Sequence, residues 1–230
     1  MAQQVNGPQP AVASRAYRSP VRRQRAEATR RAILGAAREL FEAQGYDSTT
    51  VAGIAERAGV SVDTVYASVG RKPQLVLAVI DLILGGPDGP VPAEQRDYVR
   101  ALREEPRAAG KLAVYARAVA GLVPRVAPLQ QALRVAGASD PDCARAWDTL
   151  VTRRWDNMLH LAAELRSTGE VREHLTDEEI ADLLWVTNAE ELWSGLRQRR
   201  WTPQRYEQLL ITMWTAALLA PRPADPASRH

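Results

Sequence analysis

Apolar positions recur at helical spacing along nearly the whole chain, and strand-like alternation is almost absent. Ile33, Leu34, Ala37, Leu40 and Phe41 form one stripe, which predicts an amphipathic helix from about Arg23. Gly45 follows where a left-handed C-terminal cap is expected, and Asp47, Ser48, Thr49 and Thr50 then offer side-chain oxygens to start a new helix. That second helix is short, about 51–58, with Val51, Ile54, Ala55 and Ala58 inward and Gly59 breaking it. Ser61 caps a third helix through about Ser68, with Val62, Val65 and Val69 inward, and Gly70 ends it. A fourth is predicted over 72–84, and the Gly/Pro-rich run 85–90 marks a boundary.

Beyond that boundary the pattern predicts helices near 93–105, 107–122, 125–138, 140–168, 176–200 and 203–219. The breaks are assigned to Pro106, Pro124, the Ser139-Asp140-Pro141 cap, Gly169, a Thr176/Glu179 capping box and Thr202-Pro203. The expected fold is all-α: an N-terminal three-helix helix-turn-helix domain followed by a C-terminal helical ligand-binding and dimerisation domain. Its parts are a disordered basic arm at 1–22, the DNA-binding domain at 23–86, the regulatory domain at 91–220 and a tail at 221–230. Two late stripes, Ile180, Leu183, Leu184, Leu192 and Leu196, and Leu209, Leu210, Met213, Trp214 and Ala217, suit a four-helix bundle with a second copy of the chain.

The segment 50–69 carries the functional signal. Ala55 is small where a partner helix must cross closely, Gly59 can take the positive φ of a tight turn, and Val60 and Val65 bury the underside of the second helix. Its outward residues, Ser61, Asp63, Thr64 and Ala67, would face base edges in the major groove, with Val51 and Ala52 of the preceding helix beside them. These side chains are short, so water and DNA shape are expected to share the reading. Thr50, at a helix N-terminus, suits a phosphate, and Tyr66 and Lys72 are placed to hold the backbone.

Charge placement agrees. Residues 1–31 hold seven arginines and one acid, a local charge of +6 in a chain whose total is only +3. A basic leader on a mildly acidic body points to a polyanionic partner. Lysine occurs only as Lys72 and Lys111, so a lysine at the start of a helix, where it opposes the helix dipole, stands out. The single Cys143 excludes an internal disulfide, and no metal-ligand spacing, phosphate loop or Ser/His/Asp constellation appears. No cofactor, no metal, no membrane and no enzymatic activity are expected, and a cytoplasmic location is.

The stretch 29–41 together with Gly45-Tyr46, Thr49-Thr50-Val51, residues 54–61, Thr64-Val65-Tyr66 and Lys72 resembles the tetracycline-repressor (TetR) family, over about residues 26–86. That resemblance implies a homodimer on a palindromic double-stranded operator and a small-molecule effector bound in the C-terminal domain. It also implies Thr50, Tyr66 and Lys72 as phosphate contacts. Ser68 and Val69 depart from the family's usual His or Tyr followed by Phe, which weakens a phosphate role for Ser68; Pro73 replaces a common acid.

All six tryptophans fall in the second half. Core and dimer packing accounts for many of them, while Tyr115, Trp147, Met158, Trp185 and Asn188 are the candidates for a pocket wall. The leading reading is a repressor released by its ligand. The alternatives are a DNA-binding regulator without small-molecule control, and a helical enzyme or interaction module with a vestigial helix-turn-helix.

Overall fold

The computed structural model describes residues 18–86 and 91–221. The arm at 1–17, the breaker at 87–90 and the tail at 222–230 lie outside the described residues. The described residues form ten α-helices: α1 (Arg18–Ser48), α2 (Val51–Ala58), α3 (Val62–Ser68), α4 (Lys72–Gly85), α5 (Asp97–Glu104), α6 (Ala108–Ala136), α7 (Pro141–Arg166), α8 (Asp177–Thr187), α9 (Glu190–Gln198) and α10 (Pro203–Leu218). Among the described residues there is no β-strand, only an isolated bridge between Val171 and Leu219.

Local chemistry sets most helix ends. Gly45 breaks α1 at φ 78°, and the Thr49 hydroxyl donates to its carbonyl at 2.7 Å. Thr50 accepts from the Gly53 N–H at 3.0 Å, and Ser61 from that of Thr64 at 3.2 Å, so each hydroxyl satisfies one orphan donor. Gly59 joins α2 to α3 at φ 68°, ψ 34°. A branched residue there is strained whatever the surrounding space, so Gly59→Val is expected to cost about 1–2 kcal/mol in urea unfolding. A loss below a few tenths would show that the turn can rearrange. Asp140, Thr176 with Glu179, and Thr202 cap α7, α8 and α10 as the sequence predicted.

Three elements differ from expectation. α1 starts at Arg18, five residues before the expected Arg23 and inside the segment expected to be disordered. Residues 21–28 are exposed, so the strong helix propensity of Arg and Ala, rather than burial, sustains this first part. α6 runs unbroken through Pro124 and Pro128, where a break at Pro124 was expected. An interior proline costs about 3 kcal/mol, but here both flanks are anchored: Val119 and Val123 in one core, Val126, Leu129 and Leu133 in the other. The single helix expected over 176–200 is two. Thr187 and Asn188 turn their side chains into hydrogen bonds in the interior, and Ala189 takes extended backbone before α9.

The two cores divide the molecule. One gathers α1–α4 around Ile33, Ile54, Val65, Leu75 and Ile80, and is completed from beyond the expected boundary by Val126, Leu129 and Leu133 of α6 and Cys143, Ala146 and Leu150 of α7. The other gathers α5–α10 around Leu112, Tyr115, Ile180, Tyr206 and Trp214. Among the described residues α6 alone is long and apolar enough to cross a membrane by length and composition, but it threads both cores. The bundle stripes also resolve: Ile180, Leu184, Leu210 and Trp214 are buried within their own chain, so they are not available to a second copy. Leu183, Leu209 and Met213 remain half-buried, Ala217 exposed, and Val186 is 59% exposed.

Candidate nucleic-acid interface and effector cavity

α2 and α3 pack on α1 through Ile54, Ala55 and Val65. Their opposite surface collects the predicted contact residues. Thr50, Ala52, Ser61, Asp63 and Ala67 are exposed, Tyr66 is 48% exposed, and Val51, Thr64 and Ser68 are half-buried. The Ser61 and Thr64 hydroxyls lie 2.8 Å apart and share a hydrogen bond, so their outward chemistry acts as a pair. Arg30 of α1 donates to the Ser68 carbonyl at 2.5 Å, tying the end of α3 to α1 through backbone.

Lys72 is not a free solvated charge. Its Nζ sits 4.0 Å above the Tyr46 ring and donates to the Asp47 carbonyl at a long 3.5 Å. Burial holds its ammonium below the usual lysine range, partly offset by Asp47. Tyr46 in turn bonds Cys143 at the start of α7 at 3.2 Å, and burial, then that bond, pushes its phenol up. Beside it, Arg71 pairs with Asp142 at 2.8 Å. The start of α4 is thereby fastened both to the α1 kink and to α7.

In the second core, four of the five pocket candidates come together. Asn188 Nδ2 donates to the Tyr115 hydroxyl at 2.7 Å and lies 3.2 Å from Met158 Sδ, which also accepts from Tyr115 at 3.4 Å. Arg154 donates to Asn188 Oδ1 at 2.6 Å and to the Trp185 carbonyl at 3.1 Å, with its guanidinium 5.2 Å from the Trp185 ring centroid. Trp147 is elsewhere: it packs on the α1–α4 core, because its position on α7 lies towards that end of the helix. Tyr115 and Met158 stand between two spaces. One is a cavity of about 560 Å³ walled by α5, α6 and α7; the other is an inner chamber of about 90 Å³ that reaches Leu84 of α4 and Asn188.

Residues 33–79 match the model for bacterial regulatory proteins of the tetR family. No curated protein matches. Among solved structures, one described as a TetR-family transcriptional regulator from Rhodococcus sp. is similar at a TM-score of 0.62 and 18% identity, covering 84% of this chain and 99% of that one. The family match thus falls within the α1–α4 unit, from Ile33 to Val79. A transcriptional regulator from Saccharomonospora viridis, in complex with choline, is similar at a TM-score of 0.63 and 17% identity, covering 85% and 100%. FadR from Bacillus subtilis, in complex with stearoyl-CoA, gives a TM-score of 0.62 at 18% identity, covering 80% and 96%. At these identities the structural likeness speaks for the fold alone.

Several residues of both candidate sites escaped sequence reasoning. Tyr46 carried a motif position but no assigned role, since its seat for Lys72 depends on the Gly45 kink. Arg96, Tyr98, Arg154 and Asn157 line the inner chamber and were not singled out. Arg154 did leave a signal: with Leu150, Met158 and Leu161 it shares one face of α7 at helical spacing, a cation in an apolar stripe.

Proposed function

We propose that this chain is a TetR-family transcriptional regulator, a homodimeric repressor released from a palindromic DNA operator by a small molecule. In this reading Ser61, Asp63, Thr64 and Ala67, with Val51 and Ala52, face the groove. Thr50, Tyr66 and Lys72 hold phosphates, and Ser68 lies at the edge of that contact. The domain division at 86–91, the cytoplasmic setting and a regulatory rather than enzymatic role belong to the same reading. Tyr115, Met158, Asn188 and Trp185 frame the effector site. The outward residues Leu183, Val186, Leu209 and Met213 of α8 and α10 supply the dimer seam.

The observation that carries the ligand control is the position of α4. Its first turn holds Lys72 beside the Tyr46 ring, and Leu84 in its last turn forms part of the inner chamber wall. One rigid helix therefore touches both candidate sites, and a ligand that prefers a shifted α4 changes DNA affinity by that preference. Similar proteins in complex with choline and stearoyl-CoA support a small-molecule effector. The test takes the full chain onto its own genomic sites, mapped by footprinting, with solution mass measured alongside. A dimer whose footprint spans two half-sites about one helical turn apart is expected, with DNA affinity lowered by a bound compound. A monomer, or a dimer whose DNA affinity no cavity-bound compound changes, would refute it.

A further inference from the structure

The inner chamber is electrostatically one-sided. Two arginines, Arg96 and Arg154, line it, and no acid does. Neither charge is well paired within the chain. Arg96 is 5% exposed, its nearest carboxylate oxygen lies 4.0 Å away on Asp81, its Nη1 reaches the Tyr98 hydroxyl only at 3.4 Å, and its Nε has no hydrogen-bond partner. Arg154 spends Nη2 on the Trp185 carbonyl and Asn188 Oδ1, both neutral, and among the described residues no carboxylate lies within 4.0 Å of it. Burial holds its guanidinium below the ordinary arginine range. A buried cation without a counter-charge is costly, and a carboxylate is the group that relieves it through charge-assisted hydrogen bonds. The facing wall is apolar: Leu84, Leu122, Val123, Val126 and Leu150.

We propose that the chamber binds an apolar organic acid, its carboxylate held by Arg96 and Arg154, and that this carboxylate takes Arg96 from Asp81 of α4. Asp81 keeps its second partner, Arg153, so α4 is loosened at this end rather than cut free. The acid's apolar body lies against Leu84 in the last turn of the same helix, or follows the Tyr98–Tyr115–Met158 wall shared with the larger cavity. The acid thus exchanges one contact of α4 for another, which is the differential interaction that ligand control requires. The inference rests on the repressor reading above for its effect on DNA, but the acid site itself does not.

Calorimetric titration of the full chain tests it, using benzoic, phenylacetic and the saturated hexanoic through hexadecanoic acids against their primary amides. At least one acid is expected to bind about tenfold or more tightly than its amide, the range of a hydrogen bond to a buried charge. Arg96→Gln and Arg154→Gln each remove that preference and leave amide binding in place, while Arg96→Lys, which keeps the charge, retains part of it and serves if Arg96→Gln does not fold. Asp81→Asn, which removes the competing carboxylate, tightens the acid. Amides binding as well as acids, binding by none of the acids, or a preference that survives both glutamine variants would overturn the acid site. An acid that binds through both arginines yet leaves DNA affinity unchanged would overturn the exchange at Asp81. Failure of the ligand-free chain to bind DNA at all is read separately and counts against the repressor reading, not against the acid site.

Discussion

Trp214→Ala is expected to cost about 3–5 kcal/mol of stability, the range for deleting a fully buried large aromatic. Trp214 is 0% exposed, stacks on Tyr115 at 5.5 Å and 23° between rings, and donates from Nε1 to the Thr187 hydroxyl at 2.7 Å. Thr187 in turn donates to the Leu183 carbonyl at 2.6 Å, so the indole closes the end of α8 from inside α10. The cavity left behind would stand directly behind Tyr115, which lines both the larger cavity and the inner chamber. Trp214→Phe keeps most of the ring and drops the N–H; about 1–2 kcal/mol is expected from the missing hydrogen bond and reduced volume. Urea unfolding at one fixed protein concentration measures both, since dimer formation would otherwise enter the comparison. A loss under about 1 kcal/mol for the alanine variant would mean that α8 and α10 close around the vacancy.

The second large effect is on DNA. Lys72→Ala is expected to weaken binding on every sequence by about tenfold or more, the value of a charge-assisted hydrogen bond to phosphate. It is also expected to flatten the slope of log affinity against log salt by about 0.9 for each phosphate no longer neutralised, one per protomer. Tyr66→Phe removes a neutral donor, so a smaller loss of about 0.5–1.5 kcal/mol with an unchanged slope is expected. The difference between the two variants separates ionic from neutral phosphate binding. Tyr46→Leu removes the ring beneath the Lys72 ammonium and is expected to reproduce part of the Lys72 effect. Unchanged affinity and slope in Lys72→Ala would show that Lys72 serves only to brace Tyr46.

The legible part of the molecule is the part written in local chemistry. Gly59, Thr50, Ser61, Asp140 and the Thr176–Glu179 box stop or start helices through their own backbone and side-chain groups, and the structure puts each where the pattern predicted; Gly45, expected as a left-handed cap, instead kinks α1 at φ 78°, ψ 177°. Where tertiary contacts decide, the pattern misled. Pro124 reads as a stop, but α6 is held from both sides by two separate cores. The stretch 176–200 reads as one stripe, but Thr187 and Asn188 serve partners on α10, α6 and α7, far away in sequence. The same limit applies to the sites. Tyr66 and Lys72 stood out by residue type and spacing, whereas Arg96, just before α5, shares a chamber with Arg154 only because α5 and α7 both pack on α6. Trp147 was grouped with the other pocket candidates by composition, and composition carries no information about which of two cores a helix end will face.

Sequence-specific DNA binding by the α2–α3 unit is measured by equilibrium titration of the full chain against two duplexes. One carries a footprinted genomic site and the other the same bases scrambled, at the same salt concentration. Binding at least about 10³-fold tighter to the genomic site is predicted, the lower range for specific over non-specific recognition. Equal affinity for the two duplexes would contradict it.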